Sequence, residues 1–164
     1  AKLRGAFPII AVDLYDKRLE LAQTFGADYV FKGSDLDILS KNILSAAGED
    51  GIDVIVDNTG LPEIISKSYE LTKPKGKIIL VGVPRIGQKT SIYTLPIHFG
   101  KKLIGSHGGE ASPHEDISRF MKIEERGYFN ASDLVTDFFD LDQINLAIKK
   151  MKDGTISGRC ILKC

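Results

Sequence analysis

Pro8-Ile9-Ile10-Ala11-Val12-Asp13 is an apolar run without polar alternation, closed by a carboxylate. Strand residues point to alternate faces of a sheet. A run apolar at successive positions therefore predicts a strand covered on both faces, as in a parallel sheet. Directly after it, residues 16–25 carry Leu19, Leu21, Ala22 and Phe25 at helical spacing, and Gly26 ends the helix. Before it, Ala1-Lys2-Leu3-Arg4-Gly5 reads as the last turn of a helix closed by glycine. No Met opens the chain, and it is read as part of a longer one.

The alternation continues downstream. Residues 29–31 predict a strand and 35–47 a helix stopped by Gly48. Residues 52–56 predict a strand, and 61–71 a helix stopped by Thr72-Lys73-Pro74-Lys75-Gly76. Residues 77–83 form the most apolar predicted strand, followed by a polar connection over 84–91, a short segment at 92–99 and a fifth strand at 103–106. His107-Gly108-Gly109 then leads to a helix over 113–126, with Pro113 suited to its first turn. The tail predicts a strand at 135–139, a helix at 141–152 and a strand at 159–163.

Strands alternating with helices across short connections predict right-handed crossovers and a parallel sheet with helices on both faces. The expected fold class is α/β: a partial, doubly wound parallel sheet of Rossmann type, with a small C-terminal α+β tail. In the order 3-2-1-4-5-6 the first strand is central, and it would precede Ala1. Its loss would leave two rows of unpaired backbone groups, so the intact protein, or another chain, is expected to supply it. Two regions are expected, 1–132 and 133–164, with a change of lobe falling near 107–132.

Composition narrows the function. The 22 Lys and Arg balance 22 Asp and Glu, so no basic field draws nucleic acid or an anionic membrane. Apolar runs are strand-sized, far below the ~20 residues that span a bilayer, and no signal peptide is visible. The two cysteines, Cys160 and Cys164, are expected as reduced thiols in a cytoplasmic protein. Neither they nor His98, His107 and His114 have the spacing of a metal site.

Asp13 is the chemical centre of this pattern. In a dinucleotide-binding fold, an acid at this strand end accepts hydrogen bonds from the adenosine ribose hydroxyls. Each such charge-assisted bond contributes roughly 1.5–3 kcal/mol. A 2′-phosphate would meet the carboxylate directly, which favours NAD over NADP. Asp13 also suits a turn or a helix N-cap, a part open to Asp16 as well. The glycine-rich turn that completes the fingerprint would lie before Ala1.

Ile9-Ile10-Ala11-Val12-Asp13, Lys17-Arg18-Leu19-Glu20-Leu21-Ala22 and Phe25-Gly26-Ala27-Asp28 together resemble the "VD…K…LA…GAD" run of zinc-dependent medium-chain alcohol dehydrogenases. Gly51-Ile52-Asp53-Val54-Ile55-Val56-Asp57-Asn58-Thr59-Gly60 resembles that family's next strand, and Gly76-Lys77-Ile78-Ile79-Leu80-Val81-Gly82-Val83 the one after. Leu103-Ile104-Gly105-Ser106 and Gly154-Thr155-Ile156-Ser157-Gly158-Arg159 resemble two later elements. The pieces keep the family order over nearly the whole chain.

The resemblance implies an NAD-linked oxidoreductase that transfers hydride between NAD and a zinc-bound alcohol or polyol. It implies that Arg18 lies against the adenosine, that Thr59 and Gly60 line the adenine side, and that Gly82 and Val83 pass the nicotinamide ribose. It places Val83 and Ser106 at the carboxamide and Arg159 at the pyrophosphate. The family's zinc ligands belong to an N-terminal lobe with no counterpart here, so no catalytic or metal residue is assigned, zinc is expected only in that lobe, and the fragment alone is expected to be inactive. A small alcohol or carbonyl substrate and a homo-oligomer are implied as partners. Two other readings stay open: a zinc-free quinone or enoyl reductase of the same superfamily, and a non-enzymatic nucleotide- or S-adenosylmethionine-binding module.

Overall fold

The structure, a computed structural model, describes Ala1–Lys163, so Cys164 lies outside the described residues. Residues Ala1–Asp35 cluster with those from Pro113 onward into one compact unit, and Leu36–Ser112 form a second.

In the first unit, β1 (Ile10–Asp13) and β2 (Tyr29–Lys32) pair in parallel, joined by α1 (Asp16–Thr24). A short 3-10 turn, Lys2–Arg4, precedes them and closes on Gly5 in the left-handed conformation, φ 73°. Leu19 is the buried residue of α1, and Gly26 follows at φ 95°. From Pro113 onward come α5 (Pro113–Glu125), β6 (Val135–Asp140), α6 (Ile144–Lys152) and β7 (Arg159–Lys163). The tail strands β6 and β7 are parallel, and Phe139, Ala147 and Ile156 form a small core between them and α6. Cys160 is a free thiol packed against that core.

In the second unit, α2 (Leu36–Ala47), β3 (Ile52–Asp57), α3 (Pro62–Leu71), β4 (Thr72–Leu80) and β5 (Lys102–Gly105) follow one another, with a one-turn helix, α4 (Leu95–His98), before β5. The sheet order is β3-β4-β5, all parallel. Leu39 and Ile43 on α2, and Ile65, Ser68 and Tyr69 on α3, recur at three- and four-residue spacing and are buried. Ile78 on β4 is fully buried.

Three expectations change. Thr72-Lys73-Pro74-Lys75-Gly76 does not separate α3 from the strand; it begins β4. Register runs from Ile52↔Thr72 to Val54↔Lys77, so the residues between bulge out of the ladder, where a proline without an N–H is tolerated. At its other end β4 stops at Leu80, short of Val83, because Val81 and Gly82 both donate to the Asp57 carbonyl, at 2.7 and 3.0 Å. Burial also differs. Val12, Val54 and Val56 are 44, 46 and 59% exposed, so the apolar strands are not covered on both faces by the described residues. Among those residues β1 pairs only with β2, and β3 only with β4, leaving one edge of each open.

Lys101 enters β5 almost fully buried. Its ammonium donates to the Tyr69 carbonyl at 2.7 Å and lies 4.5 Å over the Tyr69 ring. That carbonyl belongs to the last turn of α3, which has no intrahelical donor and carries the negative end of the helix dipole. Burial pushes the Lys101 pKa below its ordinary 10.5 and the Tyr69 pKa above its ordinary 10.0. The folded chain therefore releases the lysine proton before the unfolded chain does, and stability rises with pH until 10.5 is passed. It holds the tyrosine proton longer, so stability falls as pH climbs from 10.0 towards the raised value. Lys101→Met is expected to remove the rise and keep the fall, as read by urea unfolding across the alkaline range.

Candidate functional site

Asp13 ends β1, and its carbonyl accepts the Gly33 N–H at 3.0 Å, which extends the pairing with β2 by one residue. The chain then turns into α1. Asp13 Oδ1 accepts the Tyr15 N–H at 3.0 Å, fixing the carboxylate across that turn, while Oδ2 stands 3.8 Å from Arg18 Nη1. The Arg18 guanidinium sits 4.8 Å over the Tyr15 ring. Asp13 and Arg18 side chains are 31 and 35% exposed, reachable yet held. Asp13 is thus a turn aspartate with one oxygen left beside a guanidinium. Asp16 does not cap α1; it accepts from Lys32 Nζ with both oxygens at 3.0 Å, an exposed pair that contributes little.

The second unit gathers several candidates at its strand ends. Asp57, the last residue of β3, is 3% exposed. Its carboxylate accepts the Thr59 N–H at 3.1 Å, the Thr59 hydroxyl at 2.6 Å and the Gly60 N–H at 3.1 Å. Gly60 has φ 68°, and a Cβ there would lie 2.7 Å from the Val83 carbonyl carbon. A Cβ on Gly82 would strike Gly60 N and Asn58 C. Two backbone segments therefore touch where β3 and β4 end, and only glycine fits at the crossing. Val83, just beyond, is 87% exposed. Ser106 N donates to the Leu80 carbonyl at 2.8 Å, and Ser106 Oγ accepts the Gly109 N–H at 3.0 Å.

Asp13 thus stands at the C-terminal end of one parallel strand, and Thr59, Gly60, Gly82, Val83 and Ser106 follow such ends. In open α/β sheets this is where ligands bind. The first unit brings Asp13 and Arg18 together; the second brings Thr59 and Gly60 against Gly82 and Val83. Arg159 opens β7, exposed. His98, His107 and His114 are exposed and dispersed. Among the described residues no three His, Cys, Asp or Glu side chains gather as a metal site, and no helix is long and apolar enough to cross a membrane.

Sequence reasoning named the strand-end residues without three that hold them. Asp57 carried a signal, since Asp-x-Thr-Gly at a strand end is a pattern in which the carboxylate accepts following N–H groups. Tyr15 carried none, and Gly154 only its place at the head of the family-like stretch 154–159; the turn at Gly154 meets the Tyr15 ring from the far end of the chain.

A family model described as zinc-binding dehydrogenase matches residues 1–125. The chain belongs to the zinc-binding dehydrogenase family. Among curated relatives, alcohol dehydrogenase 1 of Trifolium repens is 28% identical, the match covering 99% of this chain and 43% of that protein. An alcohol dehydrogenase of Cupriavidus necator is 29% identical, over 95% of this chain and 43% of its own length. Among solved structures, benzyl alcohol dehydrogenase from Acinetobacter calcoaceticus superposes with a TM-score of 0.89 at 32% identity, covering 99% of this chain and 44% of that one. An alcohol dehydrogenase zinc-binding domain protein from Burkholderia ambifaria gives 0.88 at 29%, covering 99% and 43%. The chain spans less than half the length of these relatives. The expected α/β fold with parallel pairing and the expected family are both met.

Proposed function

We propose that this chain is the NAD(H)-binding part of an alcohol dehydrogenase, an oxidoreductase that exchanges hydride between NAD and a small alcohol or its carbonyl counterpart. The observation that carries the reading is Asp13: a carboxylate at the C-terminal end of a parallel strand, oriented by the Tyr15 N–H and flanked by Arg18. Acceptor oxygens beside a guanidinium suit a ribose diol next to an adenine, and they oppose a 2′-phosphate. Gly60 and Gly82 let the two strand-end segments cross in backbone contact, which in this reading sets Thr59 and Val83 beside the dinucleotide. In this reading Thr59 lines the adenine side, Val83 and Ser106 offer backbone groups to the carboxamide, and Arg159 pairs with the pyrophosphate. When bound, NAD supplies a nicotinamide ring that gives or takes the hydride; the residues named here bind and orient it.

Zinc does not fit the residues present, since none of the described side chains cluster as ligands. In the proposal its ligands lie outside residues 1–164, and the isolated chain turns over no alcohol. Residues 1–132 serve as the NAD-binding region and 133–164 return to the catalytic lobe. The open outer edge of β5, with all four residues exposed, supports a homo-oligomer, and the free Cys160 thiol is in keeping with a cytoplasmic setting.

Fluorescence titration of the complete protein with NADH, NADPH and S-adenosylmethionine tests the reading. NADH is expected to bind most tightly. Asp13→Asn is expected to weaken NADH about tenfold or more, the loss of one charge-assisted bond, and to narrow its advantage over NADPH. Tighter S-adenosylmethionine binding, or an NADH affinity indifferent to Asp13→Asn, would overturn it.

A further inference from the structure

We propose that Tyr15 and Gly154 are positioning residues of the adenosine site: the Gly154 turn backs the Tyr15 ring, and the ring sets where Arg18 and Asp13 present their polar groups. This rests on the NAD reading and extends it to residues outside the strand ends.

Gly154 follows α6 in the left-handed conformation, φ 69°, is buried, and donates its N–H to the Met151 carbonyl at 3.2 Å. A Cβ at this position would fall on the Tyr15 ring. The ring is therefore seated directly on the glycine backbone, with no room for a side chain between. On the ring lies the Arg18 guanidinium at 4.8 Å, a cation–π contact that restrains a long side chain with many rotamers. Arg18 in turn stands 3.8 Å from Asp13 Oδ2, and the Tyr15 N–H holds Asp13 Oδ1 at 3.0 Å. The circuit closes. One residue, Tyr15, restrains the carboxylate through its backbone and the guanidinium through its ring.

The geometry makes nucleotide choice depend on the C-terminal tail. Displacing the ring releases Arg18 from its place beside Asp13. The freed guanidinium can then pair with a 2′-phosphate, while the diol loses its preset acceptor. Both changes erode preference for NADH over NADPH.

The test uses the complete protein, titrated with NADH and NADPH by fluorescence, with melting temperatures measured in parallel. Tyr15→Ala and Gly154→Ala are each expected to weaken NADH about tenfold while NADPH holds or tightens. Tyr15→Phe keeps the ring and is expected to keep the preference. Gly154→Ala added to Tyr15→Ala is expected to lower the preference no further. If Gly154→Ala does not fold, the Tyr15 pair decides alone. Variants that lower the melting temperature and leave the NADH:NADPH ratio unchanged would reduce both residues to folding roles and overturn the proposal. Asp13→Asn separates the two claims. If it too leaves both affinities unchanged, the ribose reading fails and this inference with it; if it weakens NADH while Tyr15→Ala does not, the positioning inference alone fails.

Discussion

Gly82→Ala is expected to cost about 3 kcal/mol of stability, lowering the melting temperature by roughly 6–12 °C. The methyl group would lie 2.6 Å from Thr59 N and overlap Gly60 N and Asn58 C as well. All three are backbone atoms, so no rotamer change relieves the overlap. They are also pinned from below, since Thr59 and Gly60 N–H groups both end on the Asp57 carboxylate, and Gly82 N on the Asp57 carbonyl. The strand ends must separate, and with them the segment that carries Val83. Thermal unfolding reads the first effect. NADH titration reads the second, and its affinity is expected to fall together with stability. An alanine variant that melts with the parent would mean that the two segments do not touch in this way.

Asp57→Ala is the second large effect, a loss of about 2–4 kcal/mol. Three donors end on this carboxylate, and the Gly60 N–H is among the buried ones. Removing the acceptor leaves that N–H without a partner where water does not replace it easily. Asp57→Asn keeps one carbonyl oxygen and is expected to lose about half as much. The two variants together separate missing acceptors from missing charge: equal losses would assign the effect to charge, and a graded loss to the count of acceptors. Urea unfolding of the three proteins checks the order.

Much of this architecture was legible before any coordinates. Helical spacing at Leu39 and Ile43 placed α2, and unbroken apolar runs placed β1, β3 and β4. Asp13 was legible as a strand-end acid, and Gly60 and Gly82 as strand-end glycines, because each follows an apolar run within a few residues. The exit of β4 at Leu80 was not legible. Apolar character continues through Val81 and Val83, but the ladder stops where the Asp57 carbonyl takes two successive N–H groups. The start of β4 at Thr72 was hidden by Pro74 and Gly76, turn residues that are absorbed into a bulge. The exposure of Val54 and Val56 was likewise invisible, because an apolar strand reads the same whether or not a second layer covers it.

By itself the sequence determined the order of helices and strands, though not the bounds of β4, that the strands run parallel, and that a carboxylate stands at the tip of β1. These follow from periodicity, short connections and neighbouring residue types, all local quantities. The tertiary structure alone decided what holds that carboxylate, through the Tyr15 ring on the Gly154 turn, and which glycines have no space for a side chain. Those are contacts between residues distant in the chain. They depend on register and on the path of the tail, which no local pattern of residues encodes.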